Sequence, residues 1–217
     1  MNKKLLIKNA EDFVKQSLVQ ADPGHDWWHV ERARNTAVLL HEQEGGNWLI
    51  IELAILLHDV GDRKVINKEN DDYTIAEGFL LEQKVEQRVI DHVMAIISSM
   101  SFSKSFDGVK SIESVEFKIV QDADRLDAIG AIGIARAFTY GSSQSRALYD
   151  PEYEVKAFNT SSEYKNAKSS TIHHFDEKLF LLKDSLNTKT AQKIAKSRDA
   201  FMHKFVDQFL GEWQGKR

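Results

Sequence analysis

The chain has no cysteine, so neither a disulfide framework nor a thiolate metal site is available to it. Only two prolines and 11 glycines punctuate its 217 residues, which favours long helices over many short strands. Long apolar runs are missing as well. The greasiest, LIIELAILL at 49–57, has Glu52 inside it and is too short to span a bilayer. The N-terminal stretch MNKKLLIKNAEDF is basic but lacks the apolar length of a secretory signal. A surplus of positive charge is also absent: 29 basic against 33 acidic residues give −4, which argues against a broad surface for a nucleic-acid polymer. The expectation is a cytoplasmic protein with neither membrane nor nucleic-acid polymer as partner.

What the sequence does have is helical periodicity. Segments at 3–20, 27–43, 47–58, 73–83, 85–99, 113–129, 130–139, 172–186 and 188–213 read as helices. Asp26 is the expected N-cap of the second, and EGG at 44–46 ends it. The third is apolar nearly all round, as in a helix at the centre of a fold. The first is expected to bury Leu5, Ile7, Phe13, Val14 and Leu18, and the last to bury Ile194, Phe201, Phe205, Phe209 and Trp213. Segments 62–73 and 141–170 are irregular and are candidates to cover a pocket. No stretch alternates at period two. The expected architecture is all-α, one domain over 1–217, with a core at about 20–140 and a C-terminal helical extension at about 170–213.

Three of these helices aim metal-ligating side chains inward. His29 shares the stripe of Ala33, Ala37 and Leu40. His58 and Asp59 close the apolar helix, where adjacent side chains can converge on one ion. Asp124 falls on the inner face of its helix with Phe117, Val120, Ala128 and Ala131, whereas Asp122 points nearly the opposite way. Two imidazoles and two carboxylates make a hard-to-borderline set, suited to Mn2+, Mg2+, Co2+, Ni2+ or Fe2+. Four protein ligands on an octahedral ion leave about two positions for water or a phosphate oxygen. On spacing alone each residue also has a plainer reading: a hydrogen-bonded core histidine, or a capping or ion-paired aspartate.

HVERA at 29–33, AILLHDVGD at 54–62 and QDADRLDAIGAIGIAR at 121–136 resemble the His…His-Asp…Asp signature of the HD-domain metal-dependent phosphohydrolases. GHDWWHVERA at 24–33, SFS at 101–103 and IHHFDEKLFLLKD at 172–184 are similar to the bacterial YpgQ/YedJ-like subgroup, so the resemblance covers about 20–210. It implies an all-helical fold and the metal ligands His29, His58, Asp59 and Asp124. His25–Asp26 also spells the pair, but no apolar helix precedes it. The implied activity is hydrolysis of ribo- or deoxyribonucleoside triphosphates to monophosphate and pyrophosphate, with Mn2+ preferred. A 5′-nucleotidase or a non-catalytic metal-binding regulatory module are the alternatives. Between residues 60 and 123 there is one histidine, His92, and it reads as a core residue, so one ion is expected rather than two.

Phosphoryl and nucleotidyl transfer rest on positioning and electrostatics, so cations should surround the ion. Arg32, Arg125, Lys178 and His174 are candidate substrate-binding residues, with Arg63 and Lys64 beside the His-Asp pair and Lys64 counted as catalytic. Asp62 or Asp127 is the candidate general base. Tyr149, Tyr153, Phe158 and Tyr164 either stack on a nucleobase or anchor their loop to the core, the second being preferred. The apolar C-terminal helix packs on its own core or on a second copy in a homodimer.

Overall fold

Five of the helices begin where a short polar side chain closes the first turn. A computed structural model describes residues 2–21, 24–62, 72–100, 112–155, 163 and 169–217. Asn2 caps α1 (Lys3–Ser17), Asp26 caps α2 (Trp27–Glu44) and Asn47 caps α3 (Trp48–Leu57). Helices α4 (Thr74–Glu82) and α5 (Gln87–Ser99) follow. Ser114 caps α6 (Val115–Asp127), which leads through a short corner into α7 (Gly130–Ser143). Thr188 caps the last helix, α8 (Lys189–Trp213). In each cap a side-chain oxygen accepts a backbone N–H that would otherwise lack a partner. Among the described residues there is no strand, and the architecture is all-helical. No described helix is long and apolar enough to cross a membrane.

Helix α3 is the axis of the bundle. Every residue from Ile50 to Leu57 is buried, and α1, α2, α5 and α6 pack around it. Glu52 survives there because Arg34 of α2 pairs with it and, through Nη1, with Glu11 of α1 at 2.7 Å. The chain leaves α3 through a turn that ends at Gly61, whose φ is +87°. Asp72 N donates to Gly61 O at 2.7 Å, and a Cβ on Gly61 would stand 2.1 Å from Asp72 O. Only glycine fits that approach.

Two expected stripes hold in part: Val14 and Leu18 are buried and Ile7 and Phe13 pack against the core in α1, as Ile194, Phe205 and Phe209 do in α8. Helix α1 buries Leu6, Ala10, Val14 and Leu18, while Leu5 is 55% exposed. Helix α8 buries Ala191, Ala195, Met202 and Val206, while Phe201 and Trp213 are each 51% exposed. In α8, small alanines occupy the contact line and let the helix sit close, so larger side chains are pushed to its flanks. Phe205 and Phe209 fill one flank against Phe138 of α7. Before α8 the expected single helix at 172–186 is broken into pieces. A π-helical turn spans Phe175–Leu179, one α turn Phe180–Leu182, and a 3-10 turn Lys183–Ser185.

Candidate metal centre

The inward stripes of α2, α3 and α6 converge as the periodicity requires. His29 is fully buried, and His58 and Asp59 are buried at the C-terminal end of α3. The two Nε2 atoms lie 3.2 Å apart. Asp59 Oδ1 is 3.4 Å from His58 Nε2, and its Oδ2 is 3.6 Å from His29 Nε2. Asp124 completes the group, with Oδ1 at 3.4 Å from His29 Nε2 and 3.9 Å from His58 Nε2. Neighbouring ligands on a six-coordinate ion with bonds of about 2.1 Å sit roughly 3.0 Å apart, close to these spacings. His29, His58 and Asp59 form a group that could hold a metal ion. Asp59 Oδ2 is buried and has no hydrogen-bond partner, a costly state that a cation would relieve.

Hydrogen bonds on the far side of each ring aim it. His58 Nδ1 lies 2.7 Å from Ile55 O, and a carbonyl only accepts, so Nδ1 carries the hydrogen and Nε2 faces the centre. His29 Nδ1 lies 2.8 Å from Asp127 Oδ2, which fixes that ring in the same sense. Asp127 is itself held by Arg32, through Nε to Oδ1 at 2.8 Å and Nη2 to Oδ2 at 3.0 Å. Arg136 of α7 adds Nη1 to Oδ2 at 2.9 Å and, through Nη2, binds Gly24 O in the turn before α2.

The electrostatics follow from this crowding. Burial and the Arg136 charge oppose protonation of His29, but Asp124, Asp127 and Asp59 outweigh them and push it up to about 9. Burial would raise all three carboxyls. Asp59 is held below the ordinary value by His58, His25 and His29. Asp124 is held far below it by the His29 hydrogen bond and the charges of His58, His29 and Arg136. Asp127 is held far below by hydrogen bonds from His29 and Arg32 and by the charges of His29 and Arg136.

The remaining expected residues divide. Asp127 was expected as a candidate base, yet its two oxygens already accept four N–H groups, so its geometry suits orientation rather than proton transfer. Arg32, expected to meet substrate, is turned onto Asp127, with its side chain one-third exposed. Arg125, also expected to meet substrate, is half-buried and gives Nη1 to Ser185 O; burial lowers its pKa. Asp62 is half-buried beside the His-Asp pair, its N donating to Asp59 O at 3.2 Å. His174 and Lys178 lie at the π-helical turn, both half-buried, with His174 Nδ1 4.0 Å from Glu177. Lys64, Arg63, the SFS segment, Phe158 and Tyr164 lie outside the described residues.

His92 is not in the core proper: its side chain is partly exposed and its Nε2 meets Ser114 Oγ at 3.1 Å. Tyr149 and Tyr153 pack against His173 with tilted rings, at 5.1 and 4.9 Å between ring centroids, and so anchor their segment. Asp122 does point away from the centre, as the helix period requires, but it is fully buried. It accepts Asn187 N at 2.8 Å and Thr188 N at 2.7 Å, tying the start of α8 to the helix that carries Asp124. Burial raises its carboxyl despite those bonds. Sequence reasoning missed Arg136, although it ends the motif GIAR at 133–136.

No protein-family model matches the chain. Among curated proteins, YpgQ of Bacillus subtilis is 37% identical over 205 residues, covering 93% of this chain and 92% of YpgQ. A Lactobacillus plantarum structure superposes with a TM-score of 0.86 at 38% identity, over 99% of this chain and 100% of that one. An HD-superfamily hydrolase of Bacillus thuringiensis superposes with a TM-score of 0.75 at 40% identity, over 98% and 99%. YpgQ in complex with ADP superposes with a TM-score of 0.76 at 31% identity, over 98% and 96%. With its inward histidines and aspartates at the centre of the same helical fold, the chain belongs to the HD superfamily of hydrolases as a relative of YpgQ.

Proposed function

We propose that this hydrolase is a divalent-metal-dependent nucleotide pyrophosphohydrolase acting on ribo- or deoxyribonucleoside triphosphates. The observation that carries the reading is the buried Asp59 Oδ2, without a hydrogen-bond partner, ringed by His29, His58 and Asp124. His29, His58, Asp59 and Asp124 would hold one ion; the mixed nitrogen and oxygen donors suit Mn2+, Mg2+, Co2+, Ni2+ or Fe2+, and the resemblance to the YpgQ-like subgroup favours Mn2+ among them. When bound, such an ion supplies a water of lowered pKa and charge to offset a phosphate oxygen. Asp127 keeps His29 Nε2 aimed at the centre, and Arg32 and Arg136 keep Asp127 ionised. With Asp127 committed to that task, Asp62 is the group left to take a proton from the attacking water. The water oxygen bonds to the α-phosphorus, the bond to the oxygen bridging to the β-phosphorus breaks, and pyrophosphate leaves. Lys64, Lys178 and His174 are assigned to the leaving phosphates. That YpgQ was solved with ADP supports a nucleotide as substrate.

Product identification tests the reading. Metal-stripped protein is given Mn2+ and a panel of ribo- and deoxyribonucleoside tri- and monophosphates, and products are resolved by chromatography. Nucleoside monophosphate plus pyrophosphate is the expected result. Nucleoside plus phosphate from a monophosphate would make the protein a nucleotidase instead. No turnover by metal-loaded protein across the panel would leave a non-catalytic module and overturn the proposal.

A further inference from the structure

Two tryptophans stand side by side before His29, and the fold treats them differently. Trp27 is half-buried against the core, with the Lys15 ammonium 4.4 Å from its ring. Trp28 is turned outward and is 62% exposed, more than Phe201 or Trp213. Tryptophan is highly buried on average because its ring carries so much apolar area. An outward Trp at the first turn of a site helix therefore calls for a reason.

Its position supplies one. Trp28 precedes His29 by one residue and Arg32 by one helical turn, so it shares a stripe with the guanidinium that grips Asp127. Helical side chains lean towards the N-terminus, so the Trp28 side chain is directed towards the side of the turn at 24–26. That turn belongs to the centre. Gly24 O accepts Arg136, Asp26 caps α2 through His29 N, and the His25 ring lies 6.3 Å from that of His29. The His25 charge also acts on Asp59. An exposed π-face thus stands at the rim of a centre read above as a phosphate site.

We propose that Trp28 is the platform on which the base of the nucleotide stacks while its phosphates reach the His–Asp cluster. The inference rests on the nucleotide reading above and adds the residue that holds the base. Stacking tolerates any base, because each presents a π-face, so discrimination among the bases at this contact is weak.

Calorimetric titration of ADP and of pyrophosphate into Mn2+-loaded protein tests it, using wild type, Trp28→Ala and Trp28→Phe. Metal content and helical circular dichroism check that each variant is folded. For Trp28→Ala the Kd for ADP should rise about tenfold while that for pyrophosphate moves less than twofold, and Trp28→Phe should recover most of the loss. If both affinities fall together, the ring supports the turn and not the base, and the inference is overturned. If wild type binds ADP and Trp28→Ala binds it equally well, the inference fails and the nucleotide reading stands. If folded, metal-loaded wild type binds no ADP, both fail.

Discussion

Asp127→Asn changes one atom of a buried carboxylate and should be felt twice. In the wild type, Asp127 accepts His29 Nδ1, two N–H groups of Arg32 and one of Arg136 within 3.0 Å. The amide keeps the shape but loses the charge, and its NH2 must face a donor. Removing one partner of a buried charge pair costs about 3–5 kcal/mol. The Arg32 side chain is 35% exposed and can turn to water, whereas that of Arg136 is 16% exposed and cannot do so readily. We therefore take the low end, about 3 kcal/mol, which lowers the melting temperature by roughly 6–12 °C in a chain of this size. The second effect is on the ring. Without a carboxylate on Nδ1, the His29 lone pair is no longer fixed on the centre, and metal affinity should fall about 10–100-fold. Calorimetric unfolding of metal-free protein reads the first effect and Mn2+ titration the second. A melting temperature within 2 °C of wild type together with an unchanged metal affinity, to about twofold, would refute the network as an orienting device.

Two further outcomes follow from the same structure. In the metal-free protein, His29 titrates at about 9 in place of 6.5, a raised folded value, so its contribution is complete below 6.5 and is lost as pH rises through 9. Urea unfolding between pH 6 and 10 should show that decline, and a flat profile there would contradict it. Gly61→Ala should destabilise the fold by more than about 1 kcal/mol, read by chemical denaturation, because φ is +87° and the new Cβ meets Asp72 O.

The sequence made the helices legible because cap and period agree along most of the chain. Asp26, Asn47, Ser114 and Thr188 each start a helix whose apolar stripe begins within a turn. His29, His58 and Asp59 were legible for the same reason: an inward position on a helix is fixed by its neighbours three and four residues away. The last helix was misread at Phe201 and Trp213 because aromatic size was taken as the mark of the core; Ile194, Phe205 and Phe209 do pack on it, while close packing of α8 selected Ala191 and Ala195 for its centre. Asp127, one turn beyond Asp124, was a candidate base, but periodicity carries no information on whether its lone pairs are already used. The group that uses one of them, Arg136, lies beyond the corner at Ala128–Ile129 and on another helix. Its reach back to Asp127 and to Gly24 exists only once α6, α7 and the turn before α2 are assembled.

Charge balance joins these observations. Asp59, Asp124 and Asp127 are all held below their ordinary values and are ionised together in one buried centre. Arg32, Arg136 and protonated His29 are among the positive groups that face them. A divalent ion bound by His29 must displace the proton on its Nε2, so two positive charges replace one. A loaded centre would then be one charge more positive than the empty one, which favours an anionic ligand at its rim. The same count accounts for Asp59 Oδ2. A proton on the imidazoles offsets part of the negative charge but leaves that oxygen without a donor, whereas an ion seated among the four side chains would meet both needs.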